Sequence, residues 1–340
     1  MALLLNVYST LHTPSAPAFP HRLNHRRDRS DPELKPHLNG FQGYVYEKSG
    51  SQMTAHLYHL LQHIGRVQTQ FSLEIEEENT DAFFDWMRQV NGICFCNDGS
   101  VISPEGELLA TPGEGDITGS VPYPADALAR KASNDAYCQK LGVRVANSLP
   151  PVMGEGEAVL RSAKEVAERC VALLSVAARA LSLSQDEGDN IENIYSRLPL
   201  AASLLSPEEA CFMAEPSPQE QDVINAVWRY EALALLLWSL GKIDKLSLPT
   251  EICDVDGVTD LILAEDTQSF IDAARLRPAD EILDALDLCY RLHWAIREAG
   301  QRGEDIPANL SGSVISERHH ALNWLVRFED AEWDEVDTPA

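Results

Sequence analysis

The end of the chain decides its fold class: PADEILDALDLCYRLHWAIREAG, residues 278–300, is followed after a short connection by SVISERHHALNWLVRF, residues 313–328. Apolar residues recur every three or four positions in both segments, which predicts two amphipathic helices. Both segments also place ionisable side chains among the apolar ones. They therefore predict a helical domain with a polar cluster inside it.

Angular positions at about 100° per residue separate two sets of charges on these helices. His293 falls at the centre of the apolar stripe of the first helix, Arg318 falls within the stripe of the second, and Glu231 shares an apolar face of an earlier helix. Since an isolated buried charge costs several kcal/mol, we expect Glu231 and Arg318 to form a buried pair with His293 close by. The opposite face of the first helix, predicted to be solvated, carries Asp280, Asp284, Asp287 and Arg291.

A functional interpretation of the cluster competes with a structural one. Glu317 and His320 have the Glu-x-x-His spacing of helical di-metal proteins, although the pattern occurs once here instead of twice. A metal site, an acid/base or ligand pocket built from Glu231, His293 and His320, and a structural network all remain open. We favour the structural network.

Other helices of the C-terminal part are marked by their start signals and periodicity. Two segments, Ser206-Pro207-Glu208-Glu209 and Ser217-Pro218-Gln219-Glu220, each predict a capping box with Pro in the first turn. The second is expected to open the core helix that ends at Gly241. Further helices are predicted over residues 157–183, 256–264 and 267–274.

The N-terminal part has the alternating pattern of a sheet. Residues 2–9 read as a buried strand, and VQTQFSLEIE, residues 67–76, alternates apolar and polar side chains so strictly that one face is expected to meet water. Helices are predicted over residues 53–64 and 80–90, a short strand over 43–47, and tight turns at 98–99 and 104–106. We expect a small α+β module with helices on one face of its sheet.

Two features of this module have competing interpretations. The basic run HRLNHRRDR, residues 21–29, is expected to be a solvated loop, with a phosphate or RNA contact as the alternative. His56, His59 and His63 share one side of a helix, so a metal stripe is one interpretation. No acidic or thiol residue stands at ligand spacing, and we favour a half-buried polar rim.

Composition limits the class of protein. A chain of 340 residues with 44% hydrophobic residues predicts two domains, at residues 1–115 and 116–340, joined within the Gly- and Pro-rich stretch 111–125. A net charge of -26 argues against nucleic acid or an anionic membrane as partner. The seven scattered cysteines and the absence of a signal peptide or an apolar span predict a soluble cytoplasmic protein.

Sequence motifs of common enzymes are missing. No phosphate-binding loop, Gly-x-Ser-x-Gly or His-Glu-x-x-His occurs, so we assign no cofactor and no metal. We expect a binding or regulatory protein, with a basic protein as the type of partner that its acidity favours and with no prediction of oligomeric state. The alternative is an enzyme, metal-dependent in one version, whose pocket is lined by Glu231, His293, Glu317, Arg318 and His320.

Several segments resemble the domain-of-unknown-function family 4272. The likeness covers roughly residues 125–338 and lies in LRS at 160–162, WRYEAL at 228–233, LWSLG at 237–241, EILD at 281–284, YRLHWA at 290–295, ERHHALNWL at 317–325 and WDEVDT at 333–338. The resemblance implies a helical C-terminal domain. It implies no activity, cofactor or catalytic residue.

Overall fold

The computed structural model describes residues 2–50, 52–112, 117–185, 188 and 190–340. The chain forms two compact units, residues 1–125 and 126–340. An antiparallel sheet with helices makes up the first unit and helices make up the second, which confirms the predicted α+β class. The predicted domain boundary at residues 115 and 116 lies outside the described residues.

The first unit is built on a six-stranded antiparallel sheet with the strand order β2-β3-β1-β4-β5-β6. Its elements are β1 (Ala2–Ser9), β2 (Arg22–Asp28), α1 (Leu34–Lys48), α2 (Ala55–Arg66), β3 (Thr69–Glu76), α3 (Thr80–Gln89), β4 (Gly92–Cys96), β5 (Val101–Ile102) and β6 (Leu108–Ala110). The predicted strands at residues 2–9 and 67–76 become β1 and β3, two adjacent interior strands of the sheet. They pair along their full length, from Ala2 opposite Glu76 to Ser9 opposite Thr69.

Both faces of this sheet are covered, so the prediction of a single covered face is wrong. Tyr8 packs with residues of α1 and α2, whereas its neighbour Val7, on the opposite face, packs with residues of α3. Gln70 and Ser72, which we expected to meet water, are 2% and 5% exposed. Alternation along one strand reports polarity, and it cannot report that a helix covers the polar face.

Two local predictions in this unit are also wrong. The basic run is not a loop, because residues 22–28 form β2, an exposed strand at the edge of the sheet. Positive charge on an edge strand discourages pairing with other chains. Residues 43–47, predicted as a strand, belong to helix α1.

The three histidines of α2 have separate surroundings. His56 Nε2 lies 2.8 Å from the carbonyl oxygen of Leu109, and His59 Nδ1 lies 3.3 Å from the hydroxyl of Tyr123. His63 is fully buried, and burial lowers its pKa to about 3. The side chains thus take part in packing and in contacts within this unit.

The second unit consists of helices around a large apolar core, with a smaller apolar cluster beside it. They are α4 (Ala125–Lys140), α5 (Ala163–Ser184), α6 (Ile191–Arg197), α7 (Pro207–Ala214), α8 (Glu220–Ser239), α9 (Val255–Leu263), α10 (Thr267–Asp272), α11 (Ala279–Arg302) and α12 (Gly312–Leu325). The second half of α8 is buried on all sides, as its continuous apolar sequence predicts. Among the described residues, no helix combines the length and apolar character needed to cross a bilayer.

The predicted helix starts in this unit are confirmed in one case and wrong in others. The capping box predicted at Ser206 is present, with its hydroxyl accepting from Glu209 N–H. The one predicted at Ser217 is absent: α8 begins at Glu220, and Gln219 occupies the cap position without a side-chain bond. Helix α5 begins at Ala163 behind a capping box of Ser162 and Glu165, six residues after the predicted start at residue 157.

Candidate functional site

Helices α8, α11 and α12 carry all the candidate residues that the sequence indicated. Helix α11 has acidic residues in its first turn and ends at Arg302; Gly303 follows, and its φ of +67° suits the left-handed position after a helix. Helix α12 begins after Ser311, whose hydroxyl accepts from Val314 N–H. These ends fix the bounds of each helix, and the apolar side chains of both helices pack into the core of the unit.

Glu231 and Arg318 form the predicted buried pair. Arg318 Nη2 lies 3.6 Å from Glu231 Oε2, and the two side chains are 5% and 2% exposed. Arg318 also donates through Nη1 to the carbonyl oxygen of Ser247 at 2.6 Å, and Glu231 Oε1 accepts from Cys253 N–H. Burial, with Glu231 nearby, raises the pKa of the Cys253 thiol to about 12, so this cysteine is no activated nucleophile.

His293 does not join that pair and contacts His319 instead. Their Nδ1 atoms are 2.9 Å apart, so one neutral ring donates to the other. Burial, with the other histidines close by, lowers the pKa of His319 to about 3, and burial also lowers the pKa of His293. Both rings are therefore held neutral at pH 7.

Glu317 and His320, the Glu-x-x-His pair, turn to different partners. Glu317 accepts from Arg229 Nη1 at 3.0 Å, and burial raises its pKa against the opposing effect of that arginine. The His320 ring packs edge-on against Trp333 at 4.6 Å, and burial lowers its pKa to about 4. Both side chains therefore have partners that suit a structural role.

Trp333 anchors the C-terminal segment in this part of the unit. Its side chain is 3% exposed and lies beneath two guanidinium groups, those of Arg169 at 5.0 Å and Arg229 at 5.8 Å. The next residue, Asp334, accepts from the Ser206 hydroxyl at 2.6 Å and from Glu208 N–H at 3.0 Å, at the start of α7. The segment after α12 is thus bound to three other helices.

The face of α11 that we predicted to be solvated is in part deeply buried. Asp287 and Arg291 are both 0% exposed, with Arg291 Nε 2.8 Å from Asp287 Oδ2. Asp135 of α4 lies 3.0 Å from Arg291 Nη1, and Asn134 donates to Asp287 at 3.0 Å. The prediction of a solvated face is wrong at these positions because α4 packs against them.

Helix α4 and its polar contacts were not predicted from the sequence. Its Arg130 is buried and lies 2.8 Å from Asp284 of α11. The spacing of Arg130, Asn134 and Tyr137 places them on one face, which was the available signal. Apolar residues are too sparse in this helix for their period to reveal it.

A cleft of about 480 Å³ opens in the second unit beside α11 and the segment after α8. Its apolar wall includes Leu235, Trp238, Leu246, Leu248, Leu288 and Leu292. Its ionisable side chains are those of Tyr137, Asp244, Lys245, Arg277, Glu281, Asp284, Cys289 and Arg318. Of the five candidate residues from the sequence, Arg318 alone lines this cleft.

The candidate residues thus belong to different surroundings. Arg318 reaches the cleft with Glu231 behind it, His293 pairs with His319, and Glu317 and His320 lie near Trp333. Within the described ranges, no three His, Cys, Asp or Glu side chains are arranged to hold a metal ion. The geometry brings apolar side chains and one buried guanidinium to a single cavity, which suits binding of a small molecule.

Comparison with known proteins places the second unit in a family. No curated protein and no solved structure matches the chain. A family described as a domain of unknown function (DUF4272) matches residues 130–336, which is more than half of the chain. This range includes α11, α12, most of α4 and the complete cleft wall. The chain belongs to the DUF4272 family.

Proposed function

We propose that this protein acts by binding, and that its helical unit holds a small, largely apolar molecule in the cleft beside α11. The observation that carries the proposal is the cleft itself. At about 480 Å³ it falls within the size range of small-molecule sites, and leucines form much of its wall. A regulatory role would follow if the bound molecule changes the affinity for a protein partner.

The construction of the wall supports this proposal. Leu235 is fully buried in α8, whereas Ala285 and Leu288 of α11 are only half-buried beside the cavity. Apolar surface that remains half-exposed gains about 25 cal/mol per Å² when a ligand covers it. A preformed apolar cavity in an acidic protein therefore favours an apolar occupant.

The rival function, an enzyme with a carboxylate and histidine pocket, has weaker support. It needs Glu231, His293, Glu317 and His320 on one accessible surface, and these side chains do not line the cleft. Elemental analysis of protein purified without chelator tests the metal-dependent version. Metal at close to one equivalent per chain would favour the enzyme over the binding protein.

Occluding the cleft tests the binding proposal. We would titrate the protein with octanol and with related neutral molecules of six to twelve carbons, measuring heat and the shift in Tm. Ala285→Trp places a large ring in the cavity from a half-buried position of α11. We expect saturable binding at one site per chain in the native protein and at least tenfold weaker binding in this variant.

Gln301→Trp supplies the matched control. It adds the same ring to the same helix at an exposed position that does not line the cleft. Binding by this variant should equal that of the native chain. Absence of saturable binding throughout the series, or equal binding by Ala285→Trp, would contradict the proposed function.

A further inference from the structure

We propose that the ligand of this cleft is a small monocarboxylate with an apolar chain, and that its carboxylate binds beside Arg318. This inference rests on the proposed function and adds the chemical class of the molecule. It comes from the incomplete hydrogen bonding of Arg318, from the charges of the cleft wall and from the apolar surface beside them. Each of these is a separate observation.

Arg318 has more donors than the protein supplies with acceptors. A guanidinium group carries five N–H donors, and this one donates to the carbonyl oxygen of Ser247 at 2.6 Å and to its hydroxyl at 3.4 Å. Its Nε has no acceptor among the described residues, and Glu231 at 3.6 Å is too distant for a hydrogen bond. A carboxylate in the cleft would supply acceptors to a group that is buried and under-coordinated.

Other charges of the cleft wall largely cancel one another. Arg277 pairs with Glu281 at 3.0 Å, and Asp284 pairs with Arg130 at 2.8 Å. The remaining two, Asp244 and Lys245, are adjacent exposed residues of opposite sign.

Position distinguishes Arg318 from these neighbours. Its side chain is 5% exposed, whereas those of Glu281 and Asp284 are 46% and 64% exposed. Exposed charges are screened by water and salt, whereas buried charges are screened much less. Since Arg318 lines the cleft and its partner Glu231 does not, a ligand meets the guanidinium in the interior of the cleft, which favours an anionic head group.

Apolar side chains near the guanidinium suit the rest of such a molecule. Leu322 lies one turn after Arg318 on α12, and Leu292 and Cys289 of α11 line the same cavity. Burial raises the pKa of the Cys289 thiol to about 12, so this group is neutral and behaves as an apolar wall. A carboxylate attached to an aliphatic chain matches both kinds of surface.

Three molecules with the same chain and different head groups test the ligand class. Isothermal titration of the full-length protein at pH 7 would compare octanoate, octanol and octylammonium. We expect octanoate to bind at least tenfold more tightly than octanol and octylammonium to bind most weakly. If octanoate and octanol compete with each other, and if Ala285→Trp weakens the binding of both, the two molecules share the cleft.

A variant without the buried ion pair tests whether the ligand's head group binds beside Arg318. Glu231→Gln combined with Arg318→Met removes both charges of the buried pair together and keeps similar side-chain volumes, so no lone charge remains in the core. We expect octanoate affinity to fall to that of octanol, with octanol affinity unchanged. If this variant fails to fold, the comparison of head groups on the native protein still decides the question.

The outcomes separate the two proposals. If none of the molecules binds, both the proposed function and this inference fail. If octanol or octylammonium binds as tightly as octanoate, the cleft remains a binding site and the carboxylate assignment is overturned. Undiminished preference for octanoate in a folded double variant would also overturn the role of Arg318.

Discussion

Asp287 and Arg291 form an ion pair that is completely sealed inside the helical unit. Two contacts join them, Nε to Oδ2 at 2.8 Å and Nη2 to Oδ1 at 3.0 Å, and neither side chain is exposed. Their spacing of four residues is the one commonly found on solvated helix surfaces. Here the same pair joins α11 to α4 and to the backbone N–H of Val152.

Removing the carboxylate of this pair should be costly. Asp287→Ala leaves Arg291 buried with Asp135 as its remaining carboxylate and deprives Asn134 and Val152 of an acceptor. We expect the free energy of unfolding to fall by about 3–5 kcal/mol, measured by denaturant unfolding. Asp280→Ala, at an exposed position of the same helix, should cost less than about 1 kcal/mol. Equal losses in the two variants would show that the pair does not stabilise the fold.

The buried pair behind the cleft gives a second prediction. Arg318→Ala leaves Glu231, 2% exposed, with the N–H of Cys253 as a partner but without its countercharge. The expected loss in the free energy of unfolding is about 3–5 kcal/mol. Arg302→Ala, at a half-exposed arginine in the last turn of α11, should change it by less than about 1 kcal/mol. A loss below about 1 kcal/mol for Arg318→Ala would refute the pairing.

Acid should destabilise the helical unit through its buried histidines. In the folded protein the pKa of His319 is held near 3, whereas an unfolded histidine has a pKa near 6.5. Between these values the unfolded chain binds a proton that the folded chain does not, so stability falls as pH falls below about 6.5. Each such histidine lowers the free energy of unfolding by up to about 1.4 kcal/mol for each pH unit in this range.

Replacing His319 measures how much this residue contributes to the pH dependence of the free energy of unfolding. His319→Gln should reduce the loss of unfolding free energy between pH 6.5 and 4.5, as measured by denaturant unfolding at each pH. His25→Gln, at an exposed histidine of β2, is the matched control and should retain the native slope. An unchanged slope in His319→Gln would show that the titration of this ring is not coupled to folding.

Trp333 should hold the C-terminal segment in place. Trp333→Ala removes a side chain that is 3% exposed and packs against Trp324 and His320. We expect a loss of about 3–5 kcal/mol in the free energy of unfolding and earlier cleavage of the segment by protease. Trp294→Ala, at a half-buried position of α11, should cost less. Protease resistance equal to that of the native chain would contradict the anchoring role.

Local sequence signals account for much of the fold. The alternation in residues 67–76 predicts β3, and the apolar run before Gly241 predicts the core position of α8. The same sequence pattern can have different outcomes. Ser206 caps its helix, whereas Ser217, in the same pattern, does not cap α8. Helix α8 begins at Glu220 instead, so the pattern alone does not fix where a helix starts.

The candidate site was predictable where its cause was local burial. Arg318 and Glu231 lie on apolar stripes, and a charge on such a stripe needs a partner, so their pairing follows from sequence. His293 meets the same condition, yet it contacts His319, because the rotation of two helices about their axes decides which neighbours meet. The cleft wall joins separate stretches of the chain, and no sequence pattern links them.

The sequence by itself determined the type and order of most elements and the inward placement of Glu231 and Arg318, because periodicity and burial cost act within one helix or strand. The tertiary structure decided which polar faces are covered. Asp287 and Arg291 look in the sequence like any solvated pair, and they are buried because α4, which has little apolar signal of its own, lies across them. The same is true of the cleft, since a cavity is the space that packed helices leave between them.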